Sequence, residues 1–237
     1  METFDFNHGR IISRKYKVIS KLGAGFEGEV YLIEEIETGI GRAAKFFYPQ
    51  RNLKGKTSIR YAKKLHKLRH CDMIIQYHHQ EKIKFDGQEI HCLVSDFVEG
   101  DLLSNIISKK RGKRIPIYEA FHIFYKLVCG VEHVHTVGEY HGDLHSDNIF
   151  VKKYGTGFDI KLIDLYHHND SKSGNMQFDI LNLIKILYEM LGGQKHYGNL
   201  PKGIKNIISG QKSTLIQKKF RNISKLRQAL ENFEWDD

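Results

Sequence analysis

Apolar and polar residues alternate along the first part of the chain, which is the pattern of strands with one buried face. Strands are predicted over 16–22, 29–36, 42–47, 73–77 and 90–94, with turns at 38–41 and 85–88. One helix is predicted over about 58–68, because Ala62, Leu65 and Leu68 recur three residues apart. The chain is therefore predicted to be rich in sheet through about residue 95.

The period of the apolar residues changes after Gly100. Apolar side chains then recur at helical spacing in two long segments, at Phe121, Phe124, Leu127, Val128, Val131 and Val134, and at Ile180, Leu183, Ile184, Leu187 and Leu191. Two short strands that carry Asp143, Asn148 and Asp164 are predicted between these helices, and short helices over 204–233. The pattern predicts an α+β protein with a β-rich part at 1–97 and an α-rich part at 98–237.

The composition is that of a soluble globular protein, since 41% of the 237 residues are hydrophobic and 27% are charged. No apolar run approaches the ~18 residues that span a membrane, and the first residues lack the order of a secretory signal. Cys71, Cys92 and Cys129 are an odd number of widely spaced thiols, which is typical of a reducing compartment. The cytoplasm is therefore expected, although an effector secreted without a signal would have the same features.

The net charge of +9 suits a protein that binds ATP, and it would also suit an acidic protein partner, nucleic acid or an acidic membrane. A solvated basic surface is the simplest interpretation. The basic cluster Lys109-Lys110-Arg111-Gly112-Lys113-Arg114 lies between two helical patterns. It is predicted to be an exposed loop, with partner docking as the alternative.

The candidate chemistry is concentrated in residues 141–151. Asp143 and Asn148 stand five residues apart before an apolar run, and Asp164 follows Asn148 by sixteen residues at the end of another apolar run. This is the layout of a phosphotransferase site, in which one Asp orients a hydroxyl while an Asn and a second Asp hold magnesium. The alternatives are a simple turn and a metal-binding hydrolase, since His141 and His145 flank Asp143.

A glycine-rich hairpin and a lysine provide candidate phosphate contacts. Residues 23–28 fit G-x-G-x-x-G between two predicted strands, whereas a dinucleotide fingerprint opens a helix. Backbone amides in such a hairpin can approach phosphate oxygens closely. Lys45 lies on the next predicted strand, from which its cation could reach the α- and β-phosphates. The structural alternatives are an ordinary hairpin turn and a lysine at a strand edge.

Taken in this order, these residues resemble the protein kinase superfamily from about residue 16 to residue 230. Residues 93–100 resemble the strand and hinge that carry the adenine, and residues 219–226 resemble the closing helical region of Ser/Thr kinases. The resemblance implies a two-lobed kinase-like fold, with a small antiparallel N-lobe and a larger helical C-lobe. It also implies that ATP and Mg²⁺ (or Mn²⁺) are the cofactors.

The same resemblance implies roles for individual residues. Asp143 would be the catalytic base, and His145 stands where Ser/Thr kinases have a lysine that contacts the γ-phosphate. Asn148 and Asp164 would bind the metal. The nucleotide would be held by residues of the glycine loop, the third strand and the hinge: Leu22, Gly23, Ala24, Gly25, Gly28, Val30, Lys45, Ser95, Asp96 and Val98.

Within that set, the backbone of residues 96–98 would pair with adenine, and Ser95 would be the gatekeeper beside it. Asp179 is predicted to open the helix that contains Ile180 and Leu183. It would cap that helix, brace the catalytic loop from beneath, or do both.

Several departures from the family pattern affect the expected activity. No Asp or Glu occurs between Glu37 and Asp72, so the predicted helix cannot supply the carboxylate that normally pairs with the strand lysine; Tyr61 stands in its place. Gly142 replaces the usual arginine of the catalytic loop. The segment from Asp164 to Asp179 is short and contains no Ala-Pro-Glu, which predicts a minimal kinase that is not switched by phosphorylation there.

The sequence favours an ATP- and Mg-dependent phosphotransferase, a compact bacterial-type Ser/Thr protein kinase with a protein substrate. A small-molecule kinase of the aminoglycoside-phosphotransferase type is the first alternative, because His-Gly-Asp-Leu-His occurs there also. A pseudokinase that serves as a binding module is the second. Nucleic acid is not an expected partner, whereas an acidic partner would suit the basic surface.

Overall fold

The computed structural model describes residues 3–168 and 170–235. Its contacts divide the chain into two compact units. Unit 1 contains Met1–His70 and Ile74–Val98, and unit 2 contains Cys71–Met73 and Glu99–Asp237. Within the described ranges, no helix is both long enough and apolar enough to cross a bilayer.

Unit 1 is built on an antiparallel sheet of six strands in the order β1-β2-β3-β4-β6-β5. The strands are β1 (Ile11–Ile12), β2 (Tyr16–Ala24), β3 (Gly28–Glu35), β4 (Gly41–Phe47), β5 (Tyr77–Phe85) and β6 (Gln88–Asp96). The helix α1 (Lys56–Lys67) contacts β5 and β6, and its buried residues include Tyr61, Ala62 and Leu65. The alternation that predicted β2, β3, β4 and β6 is thus confirmed by a sheet with apolar side chains buried against it.

The strand predicted over 73–77 is wrong for most of its length, because β5 begins only at Tyr77. The carbonyl of Met73 accepts a hydrogen bond from the N–H of Leu162, at 2.7 Å, within unit 2. Ile74 is fully buried, so the apolar run that suggested a strand reflects burial in a connection. The turn predicted at 85–88 joins β5 to β6, with Asp86 and Gly87 both at positive φ.

The N-terminal segment contributes to the core of unit 1, which the sequence pattern did not predict. Phe4 and Phe6 are buried with Tyr31, Phe46 and other residues of the sheet. The Phe6 ring packs edge-on against Phe46, with centroids 4.9 Å apart. The guanidinium of Arg10 lies 4.6 Å from the ring centroids of both Phe6 and Phe85. These contacts tie the segment to one face of the sheet by aromatic and cation–π packing.

Beneath this segment lies a fully buried carboxylate, Glu29 of β3. It accepts hydrogen bonds from the N–H of Phe4 and the hydroxyl of Tyr48, each at 3.1 Å, and from the hydroxyl of Tyr31. The ammonium of Lys21 lies 3.0 Å from it. Burial by itself would raise the pKa of Glu29, but the hydrogen bonds from Tyr31 and Lys21 and from the others outweigh burial and lower that pKa.

Unit 2 combines helices with a small sheet in the order β7-β8-β9. The strands are β7 (Asp101–Leu102), β8 (Ile149–Tyr154) and β9 (Gly157–Leu162). The helices are α2 (Leu103–Lys109), α3 (Ile117–Thr136), α4 (Lys172–Met190), α5 (Gln194–Tyr197), α6 (Lys202–Ile208), α7 (Ser213–Lys219) and α8 (Ile223–Glu231). The helix α3 contacts both α4 and α8, and the apolar periodicity of α3 and α4 is buried between these neighbours. The described residues thus form an α+β structure with a sheet-rich and a helix-rich unit.

Two details of unit 2 correct the sequence prediction. The strands do not carry the polar residues of interest: Asn148 immediately precedes β8, and Asp164 follows β9 by two residues. Asp179 does not open its helix, because α4 begins at Lys172 and Ser171 is its N-cap, whose hydroxyl accepts from the N–H of Gly174. The first turns of α4 are largely exposed and polar, so the apolar period begins only at Ile180.

Replacing Glu29 by Gln tests the buried network of unit 1. We expect the free energy of unfolding at neutral pH to fall by about 1–3 kcal/mol, because an amide cannot serve all the donors that surround the carboxylate. Folding lowers the pKa of Glu29, so the advantage of the wild type is complete above the unfolded pKa, about 4.3, and shrinks as the pH falls below it. Urea unfolding of both proteins across this range is the measurement, and an advantage independent of pH would contradict the prediction.

Candidate active site

The glycine loop joins β2 to β3 in unit 1. The N–H of Gly25 donates to the carbonyl of Gly28 at 2.9 Å, which closes the hairpin. A Cβ on Gly28 would lie 1.9 Å from the carbonyl oxygen of Phe46, so no larger residue fits there. Leu22 and residues 23–25 are exposed. The loop therefore presents its backbone to solvent while Gly28 allows a close approach to β4.

Lys45 lies on β4 directly opposite Val30 of β3. Its ammonium is 3.1 Å from a carboxylate oxygen of Glu27, which belongs to the glycine loop. The side chains of Lys45 and Glu27 are only 15% and 19% exposed. The same ammonium lies 4.8 Å from the ring centroid of Tyr61 on α1. Glu27 thus supplies a carboxylate for Lys45 that α1 cannot supply, and Tyr61 adds a cation–π contact.

Sequence reasoning missed the role of Glu27. The available signal was an acidic side chain inside a loop whose expected ligand is a phosphate. The sequence alone placed Glu27 and Lys45 eighteen residues apart and gave no reason to pair them. The backbone of the glycine loop folds over the end of β4, where the N–H of Tyr48 donates to the carbonyl of Glu27 at 2.9 Å. This contact brings Glu27 close to Lys45.

The predicted adenine-binding residues stand at and after the end of β6. Ser95 is buried, and the N–H of Asp96 donates to the carbonyl of Gln76 at 3.0 Å. The carboxylate of Asp96 lies 3.1 Å from the guanidinium of Arg42 and 2.6 Å from the imidazole of His78. Val98 is the last residue of unit 1. The side chain of Asp96 is therefore engaged in a polar cluster of the sheet, which fits a role for its backbone at the hinge.

In unit 2 the catalytic loop is anchored by Asp179. One carboxylate oxygen accepts from the N–H of His141 at 2.7 Å, and the other accepts from the N–H of Gly142 at 2.9 Å. The imidazole of His135 lies 3.0 Å from the first of these oxygens. Asp179 is fully buried on α4. The predicted bracing contact is present, and a rigid helix thereby fixes the start of the loop.

Gly142 explains one departure from the family pattern. Its φ is +88°, in the left-handed region that favours glycine. A Cβ at this position would lie 2.7 Å from the carbonyl oxygen of Tyr166 and 3.0 Å from the ring of Tyr140. The carbonyl of Gly142 is 2.7 Å from Nε2 of His168. An arginine therefore does not fit this backbone, because Tyr166 and Tyr140 occupy the space that its side chain would need.

Three of the predicted site residues come together in the loop that precedes β8. The amide nitrogen of Asn148 donates to the carbonyl of Asp143 at 2.8 Å and lies 3.2 Å from its carboxylate. It also lies 2.8 Å from Nε2 of His145. The nitrogen of Asn148 is thus used inside the loop, which fixes the orientation of the side-chain amide.

Asp143 and His145 affect each other electrostatically. Nε2 of His145 lies 3.6 Å from the carboxylate of Asp143, and both side chains are about half exposed. The imidazole of His145 is the main cause that lowers the pKa of Asp143, and burial opposes this effect. Asp143 in turn raises the pKa of His145, again against burial. The pair favours an ionised carboxylate with a neighbouring cation.

Asp164 has a strained backbone, with φ of +54°. A non-glycine residue in this region carries a conformational cost that its surroundings must support, and such residues cluster at functional sites. The next residue, Leu165, is buried, and the N–H of Tyr166 donates to the carbonyl of His141 at 2.9 Å. The segment after β9 is thus bound to the catalytic loop by its backbone.

The metal-hydrolase alternative gains no support from the geometry. Across residues 3–168 and 170–235, no group of three or more His, Cys, Asp or Glu side chains could hold a metal ion. His141 is fully buried, and its Nδ1 accepts from the N–H of Asp143 at 3.2 Å. This histidine therefore serves the structure of the loop.

A sequence model of the protein kinase domain matches residues 16–180. The chain belongs to the protein kinase family. This match covers the glycine loop, Lys45, the catalytic loop, Asp164 and Asp179.

Curated relatives and solved structures agree with the family. A Ser/Thr protein kinase of Arabidopsis thaliana is 30% identical over 157 residues, which is 63% of this chain and 26% of that protein. The Ser/Thr kinase pkn2 of Myxococcus xanthus is 27% identical over 65% of this chain and 18% of its own length. The chain thus spans about a quarter or less of these relatives. A double mutant of the PknI kinase domain of Mycobacterium tuberculosis superposes with a TM-score of 0.69 at 16% identity, over 96% of this chain and 98% of that one.

Replacing Asp179 by Ala tests the anchor of the catalytic loop. Two buried N–H groups would lose their acceptor, so we expect the free energy of unfolding to fall by about 2–4 kcal/mol. Asp179→Asn retains one carbonyl oxygen and is expected to lose less. Chemical denaturation measures both, with the exposed Asp170→Ala as the matched control. Equal stability of Asp179→Ala and Asp170→Ala would contradict the assignment.

Proposed function

We propose that this protein is a Ser/Thr protein kinase that transfers the γ-phosphate of ATP to a hydroxyl group of a protein substrate. The observation that carries the proposal is the catalytic loop itself. Asp179 holds its backbone, and Asn148 is hydrogen-bonded to Asp143 within it. Membership of the protein kinase family supports the same activity. The lobes of the kinase would be residues 1–97 and 98–237.

Asp143 would act on the acceptor hydroxyl. Its carboxylate orients the hydroxyl and receives its proton as the hydroxyl oxygen attacks the γ-phosphorus. The bond between the γ-phosphorus and the bridging oxygen of ADP breaks at the same time, and ADP leaves with the electron pair. The lowered pKa of Asp143 keeps the carboxylate ionised, so that it can accept a hydrogen bond from the acceptor hydroxyl. His145, 3.6 Å from the Asp143 carboxylate, would place a positive charge near the transferred group.

The residues assigned to the metal fit Mg²⁺ or Mn²⁺. The carboxylate of Asp164 and the side-chain oxygen of Asn148 are the hard oxygen donors that these ions prefer. The amide nitrogen of Asn148 is bound inside the loop, which leaves its oxygen as the donor for an ion. Two protein ligands suffice, because such an ion also takes water and phosphate oxygens. When bound, the ion would neutralise phosphate charge.

The nucleotide would be bound by the glycine loop, by Lys45 and by the end of β6. Lys45 would pair with phosphate oxygens, and the backbone at Asp96 and Val98 would pair with adenine, beside Ser95. The remaining contacts would come from Leu22, Gly23, Ala24, Gly25, Gly28 and Val30. We place the activity in the cytoplasm, where ATP is abundant and the three free thiols stay reduced.

Replacing Asp143 by Ala tests the proposal. The purified protein, the Asp143→Ala and Asp164→Ala variants and the control Asp159→Ala are incubated with γ-labelled Mg-ATP and a cell lysate, and proteins and small molecules are then separated. We expect labelled protein bands with phosphoserine or phosphothreonine for the wild type and the control. We expect a loss of at least about a hundredfold for the other two variants, because each loses a group used in the transition state.

The other outcomes identify the alternatives. Label confined to small molecules would show a small-molecule kinase. Nucleotide binding without transfer of label, in the wild type, would show a pseudokinase. Label that persists in Asp143→Ala would overturn the assignment of the base.

The Glu27–Lys45 pair leads to a second prediction. The Glu27 carboxylate would share the ammonium of Lys45 with phosphate oxygens, so its negative charge lies beside the proposed phosphate site and opposes the binding of Mg-ATP. We expect Glu27→Gln to lower the KM for ATP roughly three- to tenfold, by removing the competing charge. Steady-state kinetics measure this, with the exposed Glu37→Gln as the control. A higher KM would show instead that Glu27 positions Lys45 for catalysis.

A further inference from the structure

A cavity of about 410 Å³ in unit 2 is lined by basic and apolar residues that the proposed reaction does not use. We call it the basic pocket. Its basic wall consists of Lys110, Arg111 and Arg114, and its apolar floor includes Ile115, Leu191 and Leu200. The basic cluster found in the sequence thus forms one side of a cavity, and its volume is in the range of sites that hold a few side chains of a ligand.

The backbone gives the pocket a defined shape. The N–H of Ile115 donates to the carbonyl of Met190 at 2.7 Å, which binds the loop after α2 to the end of α4. Gly112 has φ of +73°, so the basic loop turns sharply before Arg114. A Cβ on Gly192 would lie 2.4 Å from Cδ2 of His196. Gly192 therefore allows His196 to lie against the wall of the pocket, where Nδ1 of His196 is 3.4 Å from the guanidinium of Arg114.

The positive charge of the pocket is only partly balanced. Lys110 lies 3.7 Å from the carboxylate of Glu119. Among the residues that the structure describes, no carboxylate pairs with Arg111 or Arg114, and both are exposed. Nε2 of His196 is buried and has no hydrogen-bond partner within the same ranges. Two guanidinium groups are thus available to an anion beside an apolar surface.

We propose that the basic pocket binds an acidic, unstructured segment of a protein partner. Carboxylates of the segment would pair with Arg111 and Arg114, whose planar guanidinium groups can each form two parallel hydrogen bonds. An apolar side chain of the segment would pack on Pro116 and Ile117, which line the pocket and are more exposed than Ile115 and Leu200. Charge complementarity and the apolar floor favour a peptide over nucleic acid, because no Phe, Tyr or Trp side chain is among the described residues that line the pocket, where it could stack on a base.

Such a site has a use in a kinase with a short segment after its metal-binding residue. Only six residues separate Asp164 from the N-cap Ser171, so this segment offers little surface to hold a substrate. A separate docking site raises the local concentration of a weakly held acceptor. This use depends on the proposed kinase activity, whereas binding to the pocket does not.

The test measures binding directly. A short fluorescein-labelled peptide of aspartate, glutamate and leucine is titrated with the full chain, and fluorescence anisotropy gives the Kd. We expect the double variant Arg111→Glu/Arg114→Glu to bind at least about tenfold more weakly than the wild type. The double variant Lys218→Glu/Lys225→Glu makes the same change of charge at exposed positions outside the pocket, and we expect it to bind within about twofold of the wild type.

Two further measurements separate a docking site from general attraction to anions. A peptide with serine in place of leucine is expected to bind more weakly to the wild type, because it leaves the apolar floor uncovered. Hydrogen exchange of the unmodified protein is expected to slow over residues 110–117 when the acidic peptide binds. Because this measurement uses the wild type, its result does not depend on whether any variant folds.

Equal losses in the two double variants would overturn the proposal, because they would show an attraction to net charge alone. The absence of protection over residues 110–117 would overturn it as well. Displacement of the peptide by single-stranded DNA at equal phosphate and carboxylate concentration would identify a polyanion surface instead. A failure of phosphate transfer with intact peptide binding would refute the proposed kinase activity and leave the pocket assigned.

Discussion

Two hydrogen bonds from the backbone of the catalytic loop to a buried carboxylate hold the start of that loop in place. Asp179 projects from the middle of α4, a helix packed against the long helix α3 and the short helices α6 and α7, so its position is fixed by the core. The N–H groups of His141 and Gly142 have no freedom left once they are bound to it. Asp143 follows directly, and Asn148 closes the loop by bonding back to the carbonyl of Asp143. The position of Asp143 therefore depends on a buried carboxylate of α4, which lies 37 residues after Gly142 in the sequence.

Much of this arrangement could be predicted from the sequence, and the reason is local. The strands β2, β3, β4 and β6 alternate with period two, and α3 and α4 repeat with the helical period, so their existence follows from burial of one face. The spacing of Asp143, Asn148 and Asp164 pointed to a candidate site because these side chains lie on a short, continuous stretch of chain. The boundaries of helices and strands were less predictable. The first turns of α4 are polar, so the apolar pattern does not mark where this helix begins, and Ile74 is buried without belonging to a strand.

The features that could not be predicted join residues distant in the sequence. Phe4 and Phe6 do not belong to a longer apolar pattern that would predict a helix or strand. They are buried against a sheet whose strands follow them in the sequence. Glu27 lies in a loop, and nothing in its surroundings along the chain indicates that Lys45 will be its partner. Glu29, two residues on, faces the N-terminal segment instead. Two carboxylates two residues apart, Glu27 in the loop and Glu29 on β3, thus serve the candidate site and the core, respectively.

The left-handed backbone at Gly142 also constrains how this chain can change over evolutionary time. Kinases that are activated by phosphorylation of their activation segment commonly have an arginine at this position of the catalytic loop. Here the space for any side chain is filled by the ring of Tyr140 and the carbonyl of Tyr166. A single substitution would therefore introduce a clash before it introduced a phosphate-binding group. An arginine at this position would therefore require coordinated changes at Gly142, Tyr140 and Tyr166, so the loop resists this substitution unless its neighbours change with it.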